Sequence, residues 1–263
     1  MNELLKDKIQ KLIDDNSSVE FRKIYKDCKL SVSKIVDCFK EPFDAEGQAE
    51  RCSKKYKNDP SSKYYNMEPW DILEMWNKAK EAGQYSGRCL DDYIGCVLND
   101  LNSEANDLYI NQENDKIKAK FNTFKYMYEH EFKNNGFEFL CRELYICDPE
   151  NKWKGRFDAL FGKDNTLILI DWKNNEKITE ENSYNNLKGP LYKYCASDLN
   201  GYTIQLYLYK YALEKYYGFS NVKTLICRVG ENDYQFYRPQ IEYSKELVEQ
   251  IIKYAINQNL INK

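Results

Sequence analysis

Histidine is almost absent from this 263-residue sequence: His130 is the single one, in a polar stretch (YMYEHEFK) that reads as a helix. Its solitude argues against serine-hydrolase triads, histidine-dependent phosphatases and two-histidine zinc sites, and His130 itself is read as structural. Paired thiols are missing too. The nine cysteines (28, 38, 52, 89, 96, 141, 147, 195 and 227) are odd in number and never spaced Cys-x-x-Cys. That fits neither a zinc ribbon nor a disulfide framework, so reduced thiols packed as small hydrophobes are expected, inside a cell. No apolar run approaches the ~20 residues that span a bilayer, so no membrane partner is expected. The first residues, MNELLKDKIQKLIDDN, are polar and acidic, unlike a secretory signal or transit peptide. A basic surplus is also lacking, at a net charge of −3. Any nucleic-acid partner must therefore be met by a local basic cluster and a bound cation.

What is present suits a folded α/β protein, with 42% hydrophobic and 31% charged residues. Helical spacing is predicted over Asp71–Ala82, with Gly83 as a stop, over Cys89–Leu101, and from about Asn111 to Phe132. At Phe137 the period changes. Phe137–Cys147 and Gly155–Phe161 read as strands, residues 162–165 as a turn, and Thr166–Trp172 as a buried apolar strand. Tyr202–Tyr217 reads as a helix stopped by Gly218, Val222–Val229 and Tyr234–Tyr237 as a strand pair, and Ser244 as the cap of a last helix. The expected organisation is a helical region over 1–135 that contributes one core helix, then a mixed α/β core over 136–263.

Asp171 ends four aliphatic residues in TLILIDWK, where a carboxylate is either costly or useful. A turn at 162–165 would set 161 opposite 166 and 156 opposite 171. Asp158, Asp171 and Lys173 then share one face of the sheet, because opposed residues and i, i+2 neighbours do so. Two carboxylates so placed can grip a hard divalent ion. Such an ion polarises a phosphate, Lys173 would orient water and offset developing charge, and the Trp172 carbonyl could add an oxygen ligand. A one-residue slip would undo the arrangement.

Gly155-Arg156-Phe157-Asp158, followed thirteen positions later by Asp171-Trp172-Lys173, resembles the PD-(D/E)XK nuclease superfamily, and its RecB-like branch most closely. Gln205 and Tyr209 in YTIQLYLYK match that branch's Gln-x-x-x-Tyr helix, and DWKNNEK (171–177) is similar to the segment found in its mitochondrial, viral and phage exonucleases. The resemblance covers roughly residues 70–217 and implies a restriction-endonuclease-like core, a mixed central sheet flanked by helices. It also implies Mg²⁺ or Mn²⁺ held by Asp158, Asp171 and the Trp172 carbonyl, Lys173 as catalytic lysine, and Gln205 and Tyr209 positioning DNA. Upstream, Gly87-Arg88-Cys89-Leu90-Asp91 resembles the family's Gly-Thr-x-x-His segment with Asp91 in the histidine position, Asp92 being the neighbouring alternative. Some relatives carry an iron–sulfur cluster. With only Cys195 and Cys227 downstream of Asp171, none is expected here.

Glu143 matches a family acidic position, to assist the metal or to hold a basic residue. Arg156, with Lys154, Lys177, Lys188 and Lys193, could track phosphates or be solvated charge. Twenty-three tyrosines invite base stacking but read chiefly as packing. The expected activity is hydrolysis of DNA, as single strands or duplex ends. The rivals are a non-catalytic DNA-binding or assembly module and an RNA-cutting endonuclease of the same fold.

Overall fold

A computed structural model describes residues 1–261. Its order is α1 (Glu3–Ser17), α2 (Val19–Asp27), β1 (Leu30–Ser31), α3 (Val32–Asp37), α4 (Ala45–Tyr56), α5 (Pro69–Leu98), α6 (Asn102–Asn111) and α7 (Asp115–Met127). There follow β2 (Glu138–Arg142), β3 (Tyr145–Asp148), β4 (Trp153–Arg156), β5 (Ala159–Lys163), β6 (Thr166–Lys173), α8 (Asp198–Tyr217), β7 (Val222–Val229), β8 (Tyr234–Tyr237) and α9 (Lys245–Ile261). The strands form a mixed five-stranded sheet, β2-β5-β6-β7-β8, and a three-stranded one, β1-β4-β3. Only β6 and β7 run parallel in the larger sheet, and α8 joins them, as a parallel crossover requires. No described helix is long and apolar enough to cross a membrane.

The large sheet is buried on both faces. Leu160, Leu167 and Leu169 pack with Leu206, Leu208 and Ala212 of α8. Ala159, Phe161 and Ile170 pack with Leu90 and Ile94 of α5 and Phe121 and Phe124 of α7. The chain is therefore α/β, with helices on both sides of a mixed sheet. The region before residue 136 supplies both cores: Ile9, Leu12, Val32 and Ile35 line one and Leu90, Ile94 and Phe121 the other.

Several local readings change. The helices expected at 71–82 and 89–101 are one 30-residue helix, opened by a Glu68–Asp71 capping box with Pro69 in its first turn. Gly83 does not stop it, since a helical glycine costs about 1 kcal/mol relative to alanine and forbids nothing. The helix expected from Asn111 begins at Asp115, where the Asn114 side chain accepts the Lys116 and Ile117 N–H groups, and its end is a π-helical turn over Tyr128–Lys133.

The strands expected at 137–147 and 155–161 each divide between the two sheets. Their pairing nevertheless continues across the division: Arg142 faces Ala159, Glu143 N–H donates to Asp158 O at 3.0 Å, and Tyr145 faces Arg156. They are two arms of one bent ladder. The bend is at Glu143, whose φ of 56° lies in the left-handed region, a conformation costing roughly 1–2 kcal/mol for a side-chain-bearing residue. The hairpin turn also differs. Lys163 pairs with Thr166 around a two-residue turn, with Asp164 at φ 54°, so the register is two residues from the one expected. A shift of two keeps every side chain on its face. It moves the position opposite Asp171 from Arg156 to Asp158.

Candidate active site

The site lies where the bent ladder leaves the large sheet. β5 pairs with β6 only as far as Ala159 and Ile170, so Asp171, Trp172 and Lys173 extend beyond it. Leu167 N–H reaches Asn221 O on the β7 side, which turns the N–H and C=O of alternate residues 168, 170 and 172 toward β5. At Trp172 no β5 residue remains to receive them. The Asp158 carboxylate fills the gap: its Oδ2 accepts Trp172 N–H at 2.8 Å. The Trp172 carbonyl projects from the same edge, and its ring packs on the opposite face against Phe124, centroids 5.5 Å apart.

Asp171, only 1% exposed, and Lys173 point to the α8 face. Lys173 Nζ lies 2.6 Å from Asp171 Oδ2 and 4.4 Å from the centroid of the Tyr202 ring. Gln205 Nε2 donates to Asp171 Oδ1 at 2.9 Å. Tyr209, one turn further along α8, is buried against Gly155. A Cβ on that glycine would come within 2.5 Å of the Tyr209 ring, so the β4 backbone needs glycine there. Burial, and then the charges of Asp171 and Asp158, raise that phenol well above its ordinary value. Asp158, Asp171, Lys173, Gln205 and Tyr209 thus gather around the end of β6.

Burial dominates the electrostatics of this group. It raises the Asp158 carboxyl to about 8, the Asp171 charge acting in the same sense and Lys173 and the Trp172 N–H opposing it. Burial also raises Asp171, against the pull of Lys173. Lys173 would be lowered by burial, yet Asp171 and Asp158 hold it above its usual value. Asp171 Oδ2 is fully enclosed and faces the Lys173 ammonium. Two like charges share a dry site with one ammonium, a combination that proton binding relieves and that a cation would relieve as well.

Asp91 is engaged by Arg142. Its Oδ1 meets Arg142 Nη2 at 2.8 Å, and the guanidinium lies so close over Gly95 of α5 that a Cβ there would collide with it. Asp92 is exposed on the same helix. Glu143 takes the second of its expected roles, pairing with Arg156 at 2.5 Å; burial and then Asp91 raise its carboxyl. Of the flanking bases, Lys154 lies over the Tyr25 ring and Lys188 pairs with Glu41 at 3.0 Å. His130 stacks on Tyr126, centroids 3.9 Å apart. All nine cysteines are free thiols, four of them buried.

Sequence reasoning missed Tyr202 and Arg142. The first was within reach, because Tyr202, Gln205 and Tyr209 recur at i, i+3 and i+7 on one helical face. The partner of Asp91 carried no such signal, since α5 and β2 meet only in the folded chain.

Among the described residues, no three His, Cys, Asp or Glu side chains cluster as a metal-holding group. The donors present are two carboxylates and the Trp172 carbonyl, a set suited to a hard divalent cation, which takes one or two carboxylates and fills its other positions with water and phosphate. No family model matches this chain, and no curated protein matches it.

Proposed function

We propose that this chain is a divalent-metal-dependent nuclease that hydrolyses phosphodiester bonds, with DNA as the expected substrate, on a restriction-endonuclease-like core of the RecB-like PD-(D/E)XK kind. The observation that carries the reading is the meeting of Asp158, Asp171 and Lys173 at one strand end, with Gln205 bonded to Asp171. Asp158, Asp171 and the Trp172 carbonyl would hold Mg²⁺ or Mn²⁺, which when bound supplies Lewis acidity toward the scissile phosphate. Gln205 fixes the Asp171 carboxylate in place. Lys173 keeps its proton and offers it, as a hydrogen-bond donor, to the phosphate oxygen on which charge builds. Tyr202 lies beneath the Lys173 ammonium, and Tyr209 supports the β4 bend from which Asp158 projects.

Labelled linear, circular and single-stranded DNA and RNA, incubated with Mg²⁺ or Mn²⁺, provide the test. Cation-dependent breakdown that disappears in Lys173→Ala is the expected result. Breakdown that survives this substitution, or none with any cation and substrate, would sink the assignment, and DNA binding without cutting would favour a non-catalytic module.

A further inference from the structure

Between Arg51 and Tyr65 the sequence RCSKKYKNDPSSKYY sets five basic residues and one acid among three tyrosines, in a protein whose net charge is −3. In the fold its rings extend into a row. Tyr56 at the end of α4 lies 5.7 Å from Tyr64, Tyr64 lies 6.2 Å from Trp76 of α5, and Trp76 lies 6.0 Å from Phe43, measured between ring centroids. Trp76 Nε1 donates to the Tyr64 hydroxyl at 3.2 Å, which fixes the middle of the row. The row reaches the surface: Phe43 is 72% exposed and the other three rings are half-buried. The exposed Lys55 stands 4.8 Å over the Tyr56 ring, and the exposed Lys63 stands 5.1 Å over the Tyr64 ring.

The charge on this surface is positive after its acids are counted. Asp44 and Glu50 pair with Arg51 and Lys54, Asp59 accepts the Ser61 N–H and hydroxyl, and Glu68 and Asp71 cap α5. That leaves Glu46 against Lys55, Lys57 and Lys63, none of which makes an ion pair among the described residues. The groups that bear most on the Lys55 ammonium are Tyr56, Cys52 and Tyr184, none a carboxylate. Tyr184 belongs to the loop that leaves β6 after Lys173 and is 92% exposed. The same loop meets the Phe43 connection, where Lys188 N–H donates to Phe39 O at 2.9 Å.

Aromatic faces beside cationic side chains suit a polyanion that carries flat rings, with bases stacking while lysines neutralise phosphates. A lysine on its flexible stem can yield a ring face to a base and keep its charge for the adjoining phosphate. The ring spacing narrows the class. Steps of 5.7–6.2 Å exceed the roughly 3.4 Å rise along a duplex strand, so bases that meet these rings must be drawn apart, which pairing forbids. A lipid surface suits the row less well, since contacts between its rings hold them flat, whereas membrane anchors project apolar side chains.

We infer that the row Phe43, Trp76, Tyr64 and Tyr56, with Lys55 and Lys63 beside it, is a docking surface for single-stranded DNA, whose unpaired bases it stacks without regard to sequence. The choice of DNA rests on the nuclease reading; the preference for an unpaired strand rests on the row itself.

The test uses the full chain without divalent cation, so that nothing is cut. Fluorescence anisotropy of a labelled twelve-nucleotide DNA is followed at several salt concentrations, with the strand single or annealed, alongside RNA of the same sequence and vesicles of phosphatidylserine. Single-stranded DNA should bind more tightly than the duplex and at least as tightly as RNA. Phe43→Ala should weaken it by about tenfold, the loss of roughly one stacked base, with the salt slope unchanged. Lys55→Gln with Lys63→Gln should instead lower the salt slope, by about 0.7 for each phosphate no longer neutralised. All three side chains are exposed, so these variants should fold. Equal affinity for duplex, tighter binding to RNA, binding to vesicles alone, or DNA affinity indifferent to these substitutions would overturn the surface. Cation-dependent cutting in that event would leave the nuclease reading standing, and stacking-dependent binding with no cutting under any cation would overturn that reading alone.

Discussion

Asp158 accepts the Trp172 main-chain N–H, so a carboxylate occupies the place in the ladder where the next β5 residue would have bonded. That bond sets Asp158 directly across from Asp171 in the continued register, with Lys173 on the same face. The arrangement follows from where β5 begins: Ala159 is its first residue, and the chain before it has already bent into the smaller sheet.

Crowding two buried acids destabilises the metal-free fold. Asp158→Asn keeps an oxygen able to accept the Trp172 N–H and removes one charge. We expect it to raise the melting temperature at pH 8, by about 2–4 °C for each kcal/mol of repulsion relieved, while abolishing activity. A lower melting temperature at pH 8 would mean that the acids do not repel.

The same repulsion gives metal binding a pH dependence. The Asp158 carboxyl is raised in the fold to about 8 by burial and then by Asp171, so between pH 4 and 8 the folded state holds a proton that the unfolded state has released. Stability of the metal-free protein from this group therefore falls as pH rises through that window. Mg²⁺ or Mn²⁺ must displace the proton, so the melting-temperature gain on adding cation should be larger at pH 8 than at pH 6. Calorimetry in two buffers of different ionisation enthalpy should register the released proton. A gain independent of pH would contradict it.

Lys173→Met removes the one ammonium facing both acids. The expected loss in kcat is about 10²- to 10³-fold, as for removing one donor from a developing oxyanion, with KM little changed. Lys173→Arg should recover little, because a longer, planar guanidinium does not set a compact charge where the ammonium meets Asp171. A change confined to KM would assign Lys173 to binding alone.

Away from the site, Asp148 makes a prediction of opposite sign. Burial would raise this carboxyl, but Tyr216 Oη, Asn151 Nδ2 and the Glu150 and Asn151 N–H groups donate to it, and it lies below its ordinary value. Its contribution is present above the unfolded value near 4 and disappears as pH falls through the folded one. Asp148→Ala should cost about 1–3 kcal/mol near pH 7 by leaving buried donors unmet, and the gap from wild type should narrow in acid, measured by urea unfolding.

Gly155→Ala places a methyl group against the Tyr209 ring and the Val32 side chain. Overpacking of this kind costs about 1–3 kcal/mol, and the displaced Tyr209 should carry the loss into activity. Urea unfolding and a nuclease assay on the same variant would reveal it. An unperturbed variant would show the β4 bend to be more yielding than its packing suggests.

The linear order of residues was enough for the apolar run of β6, both β7 and β8, the Gly218 stop of α8 and the shared face of Asp171 and Lys173. Each depends on local period or parity, and parity survived a register wrong by two. That Gln205 and Tyr209 share a helical face was likewise legible from their spacing, whereas the Asp171 carboxylate as the partner of Gln205 came from the fold. Tertiary structure alone decided the rest. The bend at Glu143 and Asp158 splits two apparent strands between sheets, and it does so through one left-handed residue whose choice depends on what packs around it. Asp91 joined Arg142, since two chain segments 51 positions apart meet only when α5 docks on the sheet. Periodicity tells which way a side chain faces; which partner it finds there is settled by packing over distances the sequence does not encode locally.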